Sequence, residues 1–195
     1  MNRWRQLLEG PDGDIVRQVI EHYRAQIEHH RDVDAPSIMA ALHEAADRIM
    51  DQERHKPAFQ RVACKRGCSA CCHIEVDVTA GEANLALQAA ADAGHDVDRD
   101  RVELQATTAW DDLPIEDRAC VFLRGNECAI YQYRPLACRL HMVVDTADFC
   151  DTVKYPGHET KNLVIKEAEA ILAAALLSFE SGTMAKMVRK EWTPN

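Results

Sequence analysis

Apolar positions recur at three- and four-residue spacing along most of this chain. Val16, Val19, Ile20, Tyr23 and Ile27 form one stripe across residues 14–30, which predicts an amphipathic helix. The polar RDVDAP stretch ends it. Pro36, suited to the first turn of a helix, then opens a second one, which carries Ile38, Leu42, Ala45, Ala46 and Ile49 on one face to about residue 53. Together they predict an α-hairpin whose histidines (His22, His29, His30 and His43) face solvent. Thr79-Ala80-Gly81-Glu82 has the form of a capping box and predicts a helix to about Ala93. Asp98 caps another, to about Trp110. Leu163, Val164, Ile171, Leu172, Ala175 and Leu176 predict a long helix from Glu159 to about Phe179, with a shorter piece after Ser181-Gly182 that ends at Trp192.

Period-two patterning is confined to the middle of the chain. Ile74–Val78 alternates as a short strand. CVFL and CAIY flank a Gly-Asn turn and predict a hairpin with a cysteine, Cys120 or Cys128, at the start of each arm. Arg134-Pro135 then introduces a helical turn bearing Cys138. The predicted fold is mainly α: a helical domain with a small β-hairpin inside a cysteine-rich segment. Residues 1–60 form the N-terminal α-hairpin, 61–150 the cysteine-cluster segment and 151–195 a C-terminal helix packing on the rest, as one compact domain.

Composition narrows the function. At 195 residues, 47% hydrophobic and 28% charged, the chain has the makeup of an ordinary globular protein. Its net charge of −9 argues against a broad nucleic-acid surface. The longest apolar run, 171–177, is far short of the ~20 residues that cross a bilayer, and MNRWRQLLEGPDGD has no apolar leader core. The expectation is therefore a cytoplasmic protein with no membrane association.

The cysteines change the picture most. There are eight: Cys64, Cys68, Cys71, Cys72, Cys120, Cys128, Cys138 and Cys150. Four fall within CKRGCSACCH, beside Arg61, Lys65 and Arg66 and no acid; Arg134 and Arg139 flank Cys138 in the same way. Cations beside thiols favour thiolate, the form that binds metals. Disulfides suit a cytosolic chain less well, so metal ligation is the first reading. On an ideal helix the first four would lie within about 100° of one another, although Gly67 favours a loop around the ion. Neighbouring side chains diverge, so Cys71 and Cys72 are expected to serve different metals, or one of them to be a non-ligand. Tetrahedral zinc and iron–sulfur clusters both take such ligands. Cys150 reads equally as a ligand or a buried core residue. His141 is a further candidate ligand, and His73 is left without a role. The 64–72 run and the later cysteines are expected to meet in space.

The order C-x3-C-x2-C-C (Cys64, Cys68, Cys71, Cys72), then Cys120, then Cys128-Ala129-Ile130-Tyr131, then Arg134-Pro135-Leu136-Ala137-Cys138-Arg139 resembles the YkgJ-type cysteine-cluster family, described as zinc- or iron-chelating. The resemblance covers roughly residues 64–150 and implies chelation by the seven motif cysteines. It implies no reaction. Cys64-x3-Cys68-x2-Cys71 also has the spacing of the radical-SAM triad, but that triad sits on a β/α barrel and the downstream pattern is mostly helical.

The expected function is thus a metal-binding protein chelating zinc or iron, with an iron–sulfur cluster among the options, in a structural, sensory or redox role. The alternatives are an iron–sulfur redox or SAM-dependent enzyme and a metal carrier or storage module. A metal ion is the expected partner, with room for a protein partner or an oligomer. No catalytic residue stands out.

Overall fold

The computed structural model describes residues 7–152, 154–155 and 157–192; the first six residues, part of the stretch read as lacking a leader, lie outside them. The fold is mainly helical, as the patterning predicts. Helices α1 (Gly13–His29) and α2 (Ala35–Glu53) form the hairpin, with Asp34 accepting from the Ser37 amide as N-cap of α2. After a short α3 (Pro57–Gln60) the first cysteine run forms a loop and a 3-10 turn, Ala70–His73. Strand β1 (Asp77–Thr79) leads into α4 (Ala80–Asp92) through the complete capping box of Thr79 and Glu82. Then come α5 (Arg99–Thr107), β2 (Leu123–Arg124), β3 (Glu127–Cys128), α6 (Leu136–Leu140), β4 (Met142–Val143), β5 (Asn162–Leu163), α7 (Lys166–Ser178), β6 (Ser181–Thr183) and α8 (Met184–Trp192).

Several boundaries differ from the sequence reading. Among the described residues there are three two-stranded antiparallel sheets, the expected hairpin being one of them: β1 with β6, β2 with β3 and β4 with β5. The strand expected at Ile74–Val78 is β1, shifted to Asp77–Thr79, because its register pairs Asp77 with Thr183 and Val78 with Gly182. The helix expected from Glu159 begins only at Lys166. Asn162 and Leu163 pair with Val143 and Met142 instead, and Val164 is exposed. The helix after Asp98 stops at Thr107, and Trp110 starts a separate 3-10 turn. Cys120 lies ahead of β2 and Cys128 at the end of β3, so neither begins an arm of the hairpin.

The apolar residues fall into two cores. One joins Val16, Ile20, Met39, Leu42, Leu136, Leu140 and Ile171 from α1, α2, α6 and α7. The other joins Val78, Ala83, Ala86, Ala89 and Ala90 of α4, Val102, Val121, Phe122, Ile130 and Val188. Gly81 lets the start of α4 come against α2, since a Cβ there would stand 3.0 Å from both Ala35 O and Met39 Cγ. That close approach brings Glu82 to His43. Among the described residues no helix is long and apolar enough to cross a membrane.

Candidate metal centre

The cysteines lie at the seam between the two cores. A cavity of about 240 Å³ has Met50 and Met142 of the first core on its wall, and Phe122, Ile130 and Met184 of or beside the second. Cys64, Cys68, Cys71, Cys72, Cys120, Cys128 and Cys138 all line it. The early and late cysteine groups therefore converge, although nearly 50 residues of helix and loop separate them in the chain. Cys150 lies off this wall, 2% exposed, with its Sγ 3.9 Å from His141 Nε2. His141 lines the cavity; His73 does not.

Each segment is fixed by backbone contacts. Gly67, at φ +85°, turns the chain between Cys64 and Cys68 in a conformation that an L side chain rarely takes. Arg61 clamps the start of the loop onto the strand after α6, donating Nε and Nη2 to the Asp145 carboxylate at 2.9 and 2.8 Å. Ala63 N donates to Val143 O at 2.8 Å. The Val143 amide in turn donates to Cys64 Sγ at 3.2 Å. The Cys120 amide donates to Cys72 O at 2.7 Å, which ties the two cysteine groups directly. The amides of Phe122 and Ile130 point at the sulfurs of Cys120 and Cys128, each two residues further on. Such N–H donors favour thiolate.

Cys138 depends on a buried carboxylate. Glu82, 1% exposed, caps its own helix through the Thr79 amide (3.0 Å) and also accepts from the Leu136 amide at 2.7 Å, the first residue of α6. Its Oε1 lies 3.1 Å from His43 Nε2, and because a carboxylate only accepts, that ring nitrogen carries the proton. Burial raises the Glu82 pKa, but the hydrogen bonds from His43, Thr79 and Leu136 outweigh it and the net shift is downward. His43, expected at the surface, is therefore 4% exposed and buried against Glu82. Its place in the run Ile38, Met39, Leu42, His43, Ala46 was the available signal, since all five share the buried face of α2. Arg139, the residue after Cys138 in α6, donates to Asp47 at 2.6 Å and to the carbonyl of Arg134 at 2.8 Å.

Burial dominates the thiol electrostatics. It pushes Cys120 and Cys150 up to about 11 and raises Cys64, Cys128 and Cys138 as well. Cys120 and Cys138 are partly buried, and both line the cavity. Cys71 is the exception: a hydrogen bond from Cys72 lowers it to about 7 and raises Cys72 in exchange. The adjacent pair therefore does not diverge as expected; both sulfurs turn into the same cavity. Their further partners overlap: both interact with Cys120 and Cys128, and Cys71 also with Cys138, Cys64 and Cys150.

The donors suit a thiophilic metal in kind. Their spacing is open: among the described residues no group of three or more His, Cys, Asp or Glu side chains is placed to hold a metal ion. A helical scaffold that gathers seven thiols around one cavity defines a cysteine-cluster protein. The chain belongs to the CxxCxxCC family, "Putative zinc- or iron-chelating domain", whose family model matches residues 63–168. No curated protein and no solved structure matches the chain.

Proposed function

We propose that this protein chelates zinc or iron through the cysteines of the cavity, and that its centre holds more than one metal atom, as an iron–sulfur cluster does. The observation that carries this reading is the convergence of seven thiols on one cavity of about 240 Å³. A single tetrahedral zinc takes only four donors, about 2.3 Å from the ion. Seven donors around a wide cavity match a polynuclear core better. Cys64, Cys68, Cys71, Cys72, Cys120, Cys128 and Cys138 are the proposed ligand pool, with Cys150 and His141 behind it. When bound, such a group supplies electron transfer or an open Lewis-acid position. The chain supplies thiolates, amide donors to sulfur and apolar wall residues such as Met50, Phe122, Ile130 and Met142. Binding in this reading draws the sulfurs inward from their open spacing.

The test is anaerobic purification followed by iron, zinc and acid-labile sulfide analysis and a visible spectrum. Iron with sulfide and brown charge-transfer absorbance supports the cluster. A colourless protein with stoichiometric zinc and no sulfide refutes the cluster and keeps chelation. Neither metal, with eight titratable thiols in folded protein, refutes both. A carrier is the second reading, because exposed Asp51, Arg54 and Lys65 lie on the cavity wall and open it to solvent. Transfer of the metal to a competing apo-protein, faster than its spontaneous dissociation, distinguishes that role.

A further inference from the structure

Four cations stand on the wall of the cysteine cavity: Arg54, Lys65, Arg134 and Arg139. Two are already matched by acids. Arg54 pairs with Asp51 at 2.5 Å and Arg139 with Asp47 at 2.6 Å, which also accounts for both aspartates on the wall. Lys65 is exposed on a flexible stem at the rim. Arg134 differs from all three. Its guanidinium is half-buried, stacks 4.1 Å from the centroid of the Tyr131 ring and donates Nη1 to Tyr131 O at 2.9 Å. Its own carbonyl is held by Arg139 Nε at 2.8 Å. No ion pair joins it to a carboxylate of the described residues. In a chain of net charge −9, a rigid cation on a cavity wall without an acid beside it calls for an explanation.

The thiols provide one. Arg134 lines the same cavity as Cys64, Cys71 and Cys128, which come from both cysteine groups, so its charge faces the space that their sulfurs share. Four thiolates around a divalent zinc, or around a cluster core of the same charge, leave a net negative centre. Met50, Phe122, Ile130 and Met142 on the same wall leave it only partly screened by solvent. Guanidinium suits the task better than ammonium, being planar, permanently charged and able to stack on an aromatic ring while it faces an anion.

We propose that Arg134 is the built-in counter-charge of the thiolate centre: a positioning residue, fixed on Tyr131, that strengthens metal binding by the two cysteine groups and sets the electron affinity of the bound metal. This rests on the chelation reading and goes beyond it, since it assigns a function to a residue that ligates nothing.

The experiment compares wild type, Arg134→Gln, Arg134→Lys and Arg17→Gln. Each is stripped of metal anaerobically and titrated with zinc against a chromogenic chelator, zinc being a usable thiolate probe whichever metal is native. Removing one unit charge at a partly buried site should weaken zinc binding by about tenfold or more. Lysine should restore most of that loss, and Arg17→Gln, on α1 away from the cavity and paired with Asp14, should bind as wild type does. Where the purified protein carries iron, the midpoint potential of Arg134→Gln should fall below that of wild type, and the lysine variant should lie between. Melting curves of the metal-free proteins separate charge from folding: the glutamine and lysine variants should melt together while their affinities differ. Equal zinc affinity in wild type and Arg134→Gln overturns the inference and leaves chelation standing. Equal losses in the glutamine and lysine variants also overturn it, because packing and not charge would then be responsible. If wild type itself binds no zinc, it is the chelation reading that fails.

Discussion

Glu82 is where the cysteine cavity is most exposed to a single change. Its two oxygens take the amides of Thr79 and Leu136, the Thr79 hydroxyl at 3.2 Å and the His43 ring at 3.1 Å, all at 1% exposure. Glu82→Gln keeps the shape and one acceptor but turns an NH₂ toward two of these donors. Hydrogen bonds to a charged group contribute about 1.5–3 kcal/mol each, and an unsatisfied buried donor costs about 1–3 kcal/mol, so a loss of about 3 kcal/mol is expected. For a chain of this length that is roughly 6–12 °C in melting temperature. His43→Leu removes only one of the four donors and should cost clearly less. Urea unfolding followed by circular dichroism measures both, with Glu180→Gln, an exposed partner of Lys190, as the control. A loss below about 1 kcal/mol for Glu82→Gln would show that the network holds neither helix, and the reasoning would fail.

The same substitution gives a pH test with a definite sign. The Glu82 pKa is lower in the fold than the ~4.3 of an unfolded glutamate. Its contribution is therefore complete above that value and lost as pH falls toward the folded pKa. Glutamine does not titrate. The stability gap between wild type and Glu82→Gln should be constant near neutrality and narrow as the pH drops below about 4. A gap that widens on acidification would contradict the lowered pKa.

Three further outcomes can be checked. Cys68→Ser should lower metal occupancy and the melting temperature of loaded protein, since metal binding is partly folding energy, whereas Cys150→Ser, off the cavity wall, should keep occupancy near wild type; elemental analysis of both decides it. Metal-free protein should lose stability as pH rises from about 8.5, where unfolded thiols ionise, toward the value of about 11 to which burial pushes Cys120 and Cys150; chemical unfolding at pH 7.5 and 9.5 that gives equal stability would refute it. Arg139→Ala leaves Asp47 and the carbonyls of Gln132 and Arg134 without their donor, so it should destabilise by about 2–4 kcal/mol, read from the same urea curves.

The helices were legible because their signals are local. Thr79 and Glu82 form the capping box that their spacing announces, and Asp98 accepts from the Arg101 amide at the start of α5. The misread segments are those decided by distant partners. Asn162 and Leu163 look like the first turn of a helix until Val143 and Met142 offer an edge. His43 has the composition of a surface residue and acquires its burial from a glutamate 39 positions away. The cysteine run shows the same division. Its density marked a site, and Gly67 marked a loop, but the cavity is created by Met50 and Met142 on one side and Phe122 and Ile130 on the other, none of which carries a chemical signal.

That division bears on how the site works. The thiols of an ordinary core are inert because burial keeps them protonated, and burial acts the same way on Cys64, Cys120, Cys128, Cys138 and Cys150. Against it stand elements that favour charge: amides aimed at Cys64, Cys120 and Cys128, the hydrogen bond that draws Cys71 down to about 7, and the guanidinium of Arg134. A fold that wanted only hydrophobic filler would need none of these. One that meets a cation needs all of them, because each proton lost to the metal must otherwise be taken from a buried thiol at the full desolvation cost. Cys71, already the easiest to ionise and coupled to both groups, is the natural first contact for an incoming ion. Cys71→Ser should therefore slow zinc uptake by stripped protein more than Cys120→Ser does, even where the two lower final occupancy equally. Stopped-flow uptake with matching rates for both variants would show that the order of ionisation plays no part in loading.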